Sequence, residues 1–273
     1  MKLISFARRG GDREAGVLEN GKVTGLGADM LTVIASGKIE PRGPAYELAS
    51  VTVLAPIPRP PKLILVGLNY RDHAAETKME IPKVPTVLCK FTNIVIGPGQ
   101  PIVLPRVSNR VDYEAELAFI IGPGGRHIPA ADAMEHVFGY TIGNDVSARD
   151  YQMATSQWLM GKTFDTFAPI GPYIVTRDEI ADPHSLGISL EIGGERLQDS
   201  NTREMIFKIP ELIEFISSVV TLEAGDVVLT GTPSGVGFTR KPPRFLQPGD
   251  EIVIRIEGLG ELRNPVVAER DTL

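Results

Sequence analysis

The sequence has few of the features that mark the common classes of proteins. It contains one cysteine, Cys89, so no disulfide can form within the chain and nothing points to an oxidising compartment. No apolar run approaches the length of a membrane span, and the run from Leu3 to Ala7 is too short for a signal-peptide core. Lysine and arginine form no cluster and the formal net charge is −6, so nucleic acid and anionic membranes are not expected as partners. We therefore expect a soluble cytoplasmic protein.

The short motifs of several familiar enzyme classes are also missing. The Gly-rich segment TGTPSGVGF (230–238) lacks the lysine of a P-loop, and no G-x-G-x-x-G follows a strand and opens a helix. Ser234 does not lie in a G-x-S-x-G turn, and no H-E-x-x-H zinc motif is present. Cys89 has no neighbours typical of a catalytic thiol, and we interpret it as a small buried apolar residue. A serine or cysteine hydrolase is therefore not expected.

The residues that are abundant favour many short strands and few helices. There are 28 glycines and 22 prolines among 273 residues, which indicates frequent turns. Short apolar runs predict strands at 63–67, 86–90, 114–121, 139–145, 188–192, 227–230, 251–257 and 261–267. Helices are predicted at 29–36, 131–137, 147–159 and from Pro210 onward. Because strands and helices do not alternate regularly, we predict a mixed, β-rich α+β fold instead of a doubly wound parallel sheet.

Two of these helices carry further expectations. The helix after Pro210 has an apolar stripe formed by Leu212, Ile213, Ile216, Val219 and Val220. The 147–159 helix begins with Ser147 in an N-cap position, and its aromatic residues Tyr151 and Trp158 are interpreted as core residues.

Prolines divide the chain into two unequal parts. Residues 1–55 alternate short strands and turns, with a tight hairpin turn expected at Asn20-Gly21. Four prolines then stiffen the stretch 56–62. We predict a small N-terminal β-rich region at 1–55, a proline-rich connector at 56–62 and the main domain at 63–273.

Two glutamates in an apolar strand are the first sign of a functional site. In VDYEAELAFIIG (111–122), Glu114 and Glu116 are two residues apart and therefore point to the same face of a strand. Asp145 ends the next predicted strand. Three converging carboxylates would bind a hard cation such as Mg²⁺, Mn²⁺ or Ca²⁺ in preference to Zn²⁺. Spacing alone leaves this interpretation and that of a solvated strand face equally open.

A second group of polar residues could supply acid–base chemistry. His73 and Glu76 are three apart in NYRDHAAET, so on a helical turn they share a face and can hold or move a proton. Arg149 and Gln152 share a face of the helix after Asp145 in the same way. Lys162 lies in GKTFDTFAPIGP, which we interpret as a turn entering an apolar loop. Taken singly, a His and a Glu three residues apart more often form an ordinary ion pair on a solvated helix, and a lysine such as Lys162 more often lies on the surface.

Five segments occur in this order along the chain: VGLNYRDHAAE, VDYEAELAFIIG, GYTIGNDVSARDYQ, GKTFDTFAPIGP and LTGTPSGVGF. Together they closely resemble the fumarylacetoacetate hydrolase family. The resemblance covers about 60–273, and 1–55 resembles the small, variable N-terminal region of longer bacterial members, among them acylpyruvate hydrolases and 2-hydroxyhepta-2,4-diene-1,7-dioate isomerases. It implies a β-roll or sandwich with few helices, a homodimer, and a catalytic domain at 63–273.

The resemblance also implies a role for each site residue. The metal ligands would be Glu114, Glu116 and Asp145, holding one Mg²⁺ or Mn²⁺ per chain. The catalytic residues would be His73 and Glu76, on a segment that closes over the substrate and activates water, and Lys162, which polarises the reacting oxygen. The residues that line the substrate pocket would be Lys90, Arg149, Gln152 and Thr232.

The implied substrate is a small 2-keto acid with a second carbonyl group. The first hypothesis is a divalent-metal-dependent hydrolase that cleaves a C–C bond in an acylpyruvate-type 2,4-diketo acid, with Glu76, tuned by His73, as the base for water. The alternative uses the same metal-assisted enolate chemistry for decarboxylation of oxaloacetate or isomerisation of an unsaturated keto diacid. A third hypothesis, a non-catalytic metal- or ligand-binding protein, fits the full set of site residues less well.

Overall fold

A computed structural model describes residues 1–8, 11 and 13–270 of the chain, and strands dominate it. The strands are β1 (Lys2–Ala7), β2 (Arg13–Glu19), β3 (Lys22–Gly25), β4 (Ala45–Glu47), β5 (Thr52–Leu54), β6 (Leu63–Gly67), β7 (Thr86–Lys90), β8 (Val95–Ile96), β9 (Ile102–Leu104), β10 (Val111–Asp112), β11 (Ala115–Ile121), β12 (Val137–Asn144), β13 (Ser147–Ala148), β14 (Ala168–Thr176), β15 (Gly187–Ile192), β16 (Glu195–Asn201), β17 (Val227–Leu229), β18 (Glu251–Ile256) and β19 (Gly260–Ala268). The α-helices are α1 (Met30–Ser36), α2 (Arg71–Thr77), α3 (Arg149–Gln152), α4 (Leu159–Lys162) and α5 (Ile209–Val219). The predicted β-rich α+β class is confirmed.

Two mixed sheets enclose the core. The larger follows the order β4-β3-β2-β1-β14-β12-β11-β17-β6-β7, with β5 and β8 paired to its side, and the smaller follows β16-β15-β18-β19-β9. Strands β11, β12 and β14 of the first sheet pack on β15, β18 and β19 of the second. This sandwich buries the apolar side chains between the sheets, as the resemblance implied.

Strand β11 lies at the centre of the larger sheet, and its position explains its composition. It pairs with β12 on one side and with β17 on the other, and all seven of its residues are buried. A strand covered on both faces reads as a continuous apolar run, so Glu116 is exceptional in being a carboxylate inside it.

The N-terminal strands continue the larger sheet. Strand β1 pairs antiparallel with β14, with Lys2 opposite Val175. The predicted Asn20-Gly21 turn joins β2 to β3, and both residues have positive φ, 50° and 75°, as a two-residue hairpin requires. The division at 56–62 stays a prediction, since strands from both sides of it pair in one sheet.

The predicted helix over 147–159 is wrong. Ser147 belongs to β13, and two short helices, α3 and α4, are separated by an irregular segment. The hydroxyl of Thr155 donates to the carbonyl of Gln157 and accepts from its N–H, both at 3.1 Å. Such local side-chain bonds compete with helical ones and end a helix that has no apolar stripe to bury. The predicted helix over 131–137 is a short 3₁₀ turn at 133–136.

The segment 161–172, interpreted from sequence as a turn entering an apolar loop, contains the first residues of strand β14. Its nine residues include Pro169, Gly171 and Pro172, which argue against a strand when read from sequence. The strand nevertheless pairs with β1 and β12, and the register shifts between Tyr140 and Ile142 on β12. The interrupted pairing lies at 172–174 of β14, so Pro172, which has no N–H to donate, falls where the ladder is already broken.

Two smaller expectations about burial differ from the structure. Cys89 is exposed, because it lies on the end strand β7, where alternate residues face outward. On α5 the residues Leu212, Ile213 and Ile216 are buried as predicted, but the helix ends at Val219, which is 69% exposed.

No helix in the described ranges is long and apolar enough to cross a membrane.

Candidate metal centre and catalytic site

The three predicted carboxylates meet where β11 begins and β12 ends. Glu116 lies on β11, Glu114 directly precedes it, and Asp145 directly follows β12. The antiparallel pairing sets Ala115 opposite Asn144, and the N–H of Asp145 donates to the carbonyl of Glu114 at 2.9 Å. One carboxylate oxygen from each of the three residues lies within 4.8 Å of the others, and all three side chains are buried.

Two buried lysines neutralise part of this charge. The ammonium of Lys162 lies 2.9 Å from Oε2 of Glu114, contacts Oδ2 of Asp145, and donates to the hydroxyl of Ser147 at 3.0 Å. The ammonium of Lys90 lies 2.7 Å from Oδ1 of Asp145 and donates to two backbone carbonyls. A positive charge therefore already lies between Glu114 and Asp145.

Glu116 has no cation of its own. Its Oε2 accepts the N–H of Gly231 at 2.7 Å, and within the described part of the chain no lysine or arginine pairs with it. Burial, with the charges of Asp145 and Glu114, raises the pKa of Glu116 well above its usual range. Burial also opposes ionisation of Glu114, but Lys162 and Arg149 hold the pKa of Glu114 below its usual range.

This donor set fits a hard divalent ion. Three carboxylates offer oxygen ligands at close range, as Mg²⁺ and Mn²⁺ prefer. One of them, Glu116, lacks the positive charge that an ion would supply. Glu114, Glu116 and Asp145 are therefore the residues that would hold the metal.

His73 and Glu76 form a hydrogen-bonded pair on α2. Nδ1 of His73 lies 3.0 Å from Oε2 of Glu76, and Oε1 of Glu76 accepts from the N–H of Gly235 at 2.9 Å and from the hydroxyl of Thr239 at 2.8 Å. Burial opposes the ionisation of Glu76, but these hydrogen bonds lower its pKa overall. Both oxygens of Glu76 are thus engaged, whereas Nε2 of His73 has no partner among the described residues.

Arg149 connects the carboxylates to the Gly-rich segment 230–238. Its Nε donates to Oδ2 of Asp112 at 2.9 Å, and Nη1 lies 2.8 Å from Oε1 of Gln152 and 2.7 Å from Oε1 of Glu114. The guanidinium lies 4.4 Å from the ring centre of Phe238. Nη2 is buried and has no hydrogen-bond partner in the described structure.

A cavity of about 150 Å³ opens beside these groups. Eight of the ten predicted site residues line it: His73, Glu114, Glu116, Asp145, Arg149, Gln152, Lys162 and Thr232. Glu76 lies behind His73, and Lys90 lies behind Asp145. Its apolar wall includes Met79, Leu88, Met153, Trp158 and Phe238.

The two aromatic residues of the broken helix have different positions. Trp158 is half-buried and lines the cavity, so the prediction that it belongs to the core is wrong. Tyr151 packs edge-on against Phe164, with 5.2 Å between ring centres, as predicted for a core residue. Because the helix ends at Gln152, the two side chains are free to take separate directions.

The segment predicted to close over the substrate rests on the Gly-rich segment. Besides the bonds of Glu76, Oδ2 of Asp72 accepts the hydroxyls of Ser200 at 2.6 Å and Ser234 at 3.3 Å. These contacts hold α2 against the cavity in this structure. That α2 closes over the substrate stays a prediction.

Sequence reasoning missed several supporting residues. Asp112 is fully buried beneath Arg149, and the amide of Gln198 donates to the hydroxyl of Thr232 at 2.9 Å. Asp112 stands two residues before Glu114 in the same motif. The acidic residues at every second position, 112, 114 and 116, could have marked Asp112 as part of the site. Nothing local marks Gln198.

Comparisons with known proteins identify the family of the chain. The model of the fumarylacetoacetate (FAA) hydrolase C-terminal family matches residues 62–267, and that of the Rv2993c-like N-terminal family matches 1–56. Oxaloacetate tautomerase FAHD2B, mitochondrial, of Bos taurus is 52% identical over 226 residues, which are 82% of this chain and 72% of that protein. Oxaloacetate tautomerase FAHD2A, mitochondrial, of Homo sapiens is 51% identical with the same coverage.

Solved structures resemble nearly the whole chain. The 2-hydroxyhepta-2,4-diene-1,7-dioate isomerase from Mycobacterium marinum is 37% identical with a TM-score of 0.84, covering 98% of this chain and 99% of that one. The fumarylacetoacetate hydrolase from Exiguobacterium antarcticum is 39% identical with a TM-score of 0.88, covering 98% and 100%. With its fold, its carboxylate cluster and these matches, the chain belongs to the fumarylacetoacetate hydrolase family.

Proposed function

We propose that this enzyme is a divalent-metal-dependent isomerase that interconverts the keto and enol forms of a short 2-oxo dicarboxylate of the oxaloacetate type. The observation that carries the proposal is the His73–Glu76 pair, which lies beside a three-carboxylate site in a small cavity. The similarity to two oxaloacetate tautomerases supports this reaction class over the hydrolysis that we ranked first from the sequence.

The proposed cofactor is one Mg²⁺ or Mn²⁺ per chain, held by Glu114, Glu116 and Asp145. When bound, such an ion supplies Lewis-acid stabilisation of the negative charge that develops on the substrate oxygen. Lys162 and Lys90 would hold Glu114 and Asp145 in place, since their ammonium groups are directed at these carboxylates.

His73 is the proposed proton carrier. Nε2 has no partner within the described residues, so in the enol-to-keto direction it can take the proton of the enol hydroxyl and deliver it to C3. In the reverse direction it takes the proton from C3 and returns it to the oxygen on C2. Glu76 would fix the ring through Nδ1 and stabilise the imidazolium, because both of its own oxygens accept hydrogen bonds. This role for Glu76 differs from the water-activating base expected from the sequence.

The polar wall of the cavity is suited to an anion with several oxygen atoms. The unpartnered Nη2 of Arg149 would donate to a substrate carboxylate, with Gln152 and Thr232 nearby in the wall. Ligand pockets for drug-sized molecules usually measure roughly 300–1,000 Å³. A cavity of about 150 Å³ therefore favours a short dicarboxylate.

Hydrolysis of an acylpyruvate is the second candidate. It is favoured by the same His73–Glu76 pair, which could also activate water. The test is a panel of the enol form of oxaloacetate, acylpyruvates and an unsaturated keto diacid, each with Mg²⁺ and with Mn²⁺. We expect fast loss of the enol absorbance and little or no cleavage of acylpyruvates. Acylpyruvate cleavage without enol–keto interconversion would overturn the assignment.

We also propose that two copies of the chain form a homodimer. Strand β7 ends the larger sheet, and beside it five large apolar side chains are exposed: Met79, Ile81, Val84, Val87 and Phe91. An apolar patch next to an unpaired strand edge is a typical association surface. Light scattering should give the mass of a dimer for the wild type and of a monomer for Val87→Lys. The control Val107→Lys, at an exposed site elsewhere, should stay dimeric.

A further inference from the structure

Asp112 is the most completely bonded carboxylate near the cavity, and no step of the proposed reaction uses it. Its side chain is fully buried at the end of β10. Oδ1 accepts the N–H groups of Tyr113 at 2.9 Å and Gly237 at 2.7 Å. Oδ2 accepts the N–H of Phe238 at 3.0 Å and Nε of Arg149 at 2.9 Å. Four donors saturate the two oxygens, so this carboxylate has no freedom to rotate.

The rigid carboxylate fixes the guanidinium of Arg149. With Nε held by Asp112 and Nη1 held by Gln152 and Glu114, a planar group has one remaining orientation. In that orientation Nη2 is the one guanidinium nitrogen that has no partner among the described residues. Arg149 itself lines the cavity. A buried donor left unpaired is costly, so a ligand oxygen would stabilise it.

The same carboxylate also positions Phe238, the aromatic residue that packs against Arg149. The backbone N–H of Phe238 donates to Oδ2 of Asp112, and the Phe238 ring lies beneath the guanidinium, with 4.4 Å between Cζ of Arg149 and the ring centre. Asp112 therefore controls both the direction of Arg149 and the position of its aromatic support.

We propose that Asp112 is a positioning residue for anion recognition: it prepares Nη2 of Arg149 to bind a carboxylate of the substrate before the substrate arrives. The inference rests on the proposed function only in taking the ligand to be a carboxylate. The competing view is that Asp112 is an ordinary buried ion pair that stabilises the fold. The two views differ in what Asp112→Asn does once Arg149 has been changed.

The test measures binding of oxalate with Mg²⁺ by calorimetry, which needs no turnover and so is independent of the reaction assignment. Asp112→Asn keeps an acceptor for Tyr113 and Gly237 but turns an NH₂ group toward Arg149. Because a hydrogen bond to a charged group is lost, we expect oxalate affinity to fall about 10-fold or more. Mn²⁺ affinity without oxalate should change by less than about 3-fold, because the carboxylate ligands keep their lysines.

A double-mutant cycle separates positioning from general stability. In Arg149→Gln the donor is gone, so adding Asp112→Asn should weaken oxalate binding by less than about 3-fold further. A full additional loss in the double variant would overturn the proposal. The matched control is Asp226→Asn, which removes another buried carboxylate, paired with Lys62 at 3.1 Å and absent from the cavity wall. It should lower thermal stability and leave oxalate affinity unchanged.

A measurement on the wild type covers the case in which Asp112→Asn does not fold. In ¹⁵N-labelled protein the Nε–H signal of Arg149, assigned with Arg149→Gln, should exchange slowly with solvent without any ligand. Signals of its Nη protons should sharpen only when oxalate and Mg²⁺ are added. Rapid exchange of Nε–H in the free protein would show that Asp112 does not hold the guanidinium, and the proposal would fail.

Discussion

Lys162 and Glu114 form a buried ion pair, with Nζ of Lys162 2.9 Å from Oε2 of Glu114. Two residues further along the chain, the one hydrogen bond that Glu116 accepts from the described residues comes from the backbone N–H of Gly231. The site is therefore uneven: one glutamate is already neutralised, whereas burial and its acidic neighbours raise the pKa of the other. A divalent ion next to Glu116 would remove this imbalance.

The first prediction follows for Glu116→Gln. The variant keeps the size of the side chain and can still accept from Gly231, but it loses a charged ligand. We expect Mn²⁺ affinity in calorimetry to fall at least about 100-fold, since even residues that only support a ligand often contribute 10–100-fold. Without metal, the free energy of unfolding should be equal or higher, because a buried carboxylate without a cation is destabilising. Wild-type Mn²⁺ affinity would show that Glu116 is not a ligand.

The second prediction concerns the His73–Glu76 pair. His73→Asn removes the proposed proton carrier and should lower kcat for enol–keto interconversion by about 10²–10⁴-fold. Glu76→Gln removes only the group that orients the ring, so its loss should be smaller, about 10-fold. Thr239→Val, which deletes one hydrogen bond to Glu76, is the mild control. If Glu76→Gln is the more damaging change, Glu76 itself is the base, as a hydrolase mechanism requires.

Local patterns predicted those parts of the fold that local forces determine. The hairpin turn at Asn20-Gly21 needs positive φ at both residues, which asparagine and glycine adopt readily. The helix predicted over 29–36 ends at Ser36, and Gly37 after it takes a positive φ of 64°. Strand alternation and the end of the next strand made Glu114, Glu116 and Asp145 candidates for one site, and the structure brings their carboxylates together. Motif resemblance then supplied roles that spacing alone had left open.

Parts of the chain determined by tertiary contacts were not predictable. Strand β14 contains two prolines and forms because β1, β8 and β12 offer partners on both sides. Trp158 reaches the cavity wall because the helix before it breaks. Asp112 acquires its role only when the Gly-rich segment, more than a hundred residues later, folds over it. The partners of these residues lie far along the chain, so local periodicity does not identify them. The alternation of Asp112 with Glu114 is the one local signal among these cases.

The third prediction tests Trp158 as a limit on substrate size. Gly67 lies against it so closely that an added Cβ would be 2.7 Å from the indole. Trp158→Ala should enlarge the cavity and raise kcat/KM for longer 2-oxo acids relative to oxaloacetate by about 10-fold, the effect of one or two methylene groups. Gly67→Ala, which pushes the indole aside, should change the same ratio. An unchanged ratio in both variants would show that the substrate does not extend toward Trp158.

The last prediction is a pH dependence of stability that comes from Glu76. Burial opposes its ionisation, but hydrogen bonds from His73, Thr239 and Gly235 lower its pKa from the ordinary value of 4.5. A carboxyl with a lowered folded-state pKa adds stability above its unfolded pKa, and the contribution is lost as the pH falls through the folded pKa. The free energy of unfolding of the wild type, measured by urea titration, should therefore exceed that of Glu76→Gln near neutral pH. The difference should shrink below pH 4.5. A difference that stays constant across this range would mean that the contacts of Glu76 do not favour its ionised form.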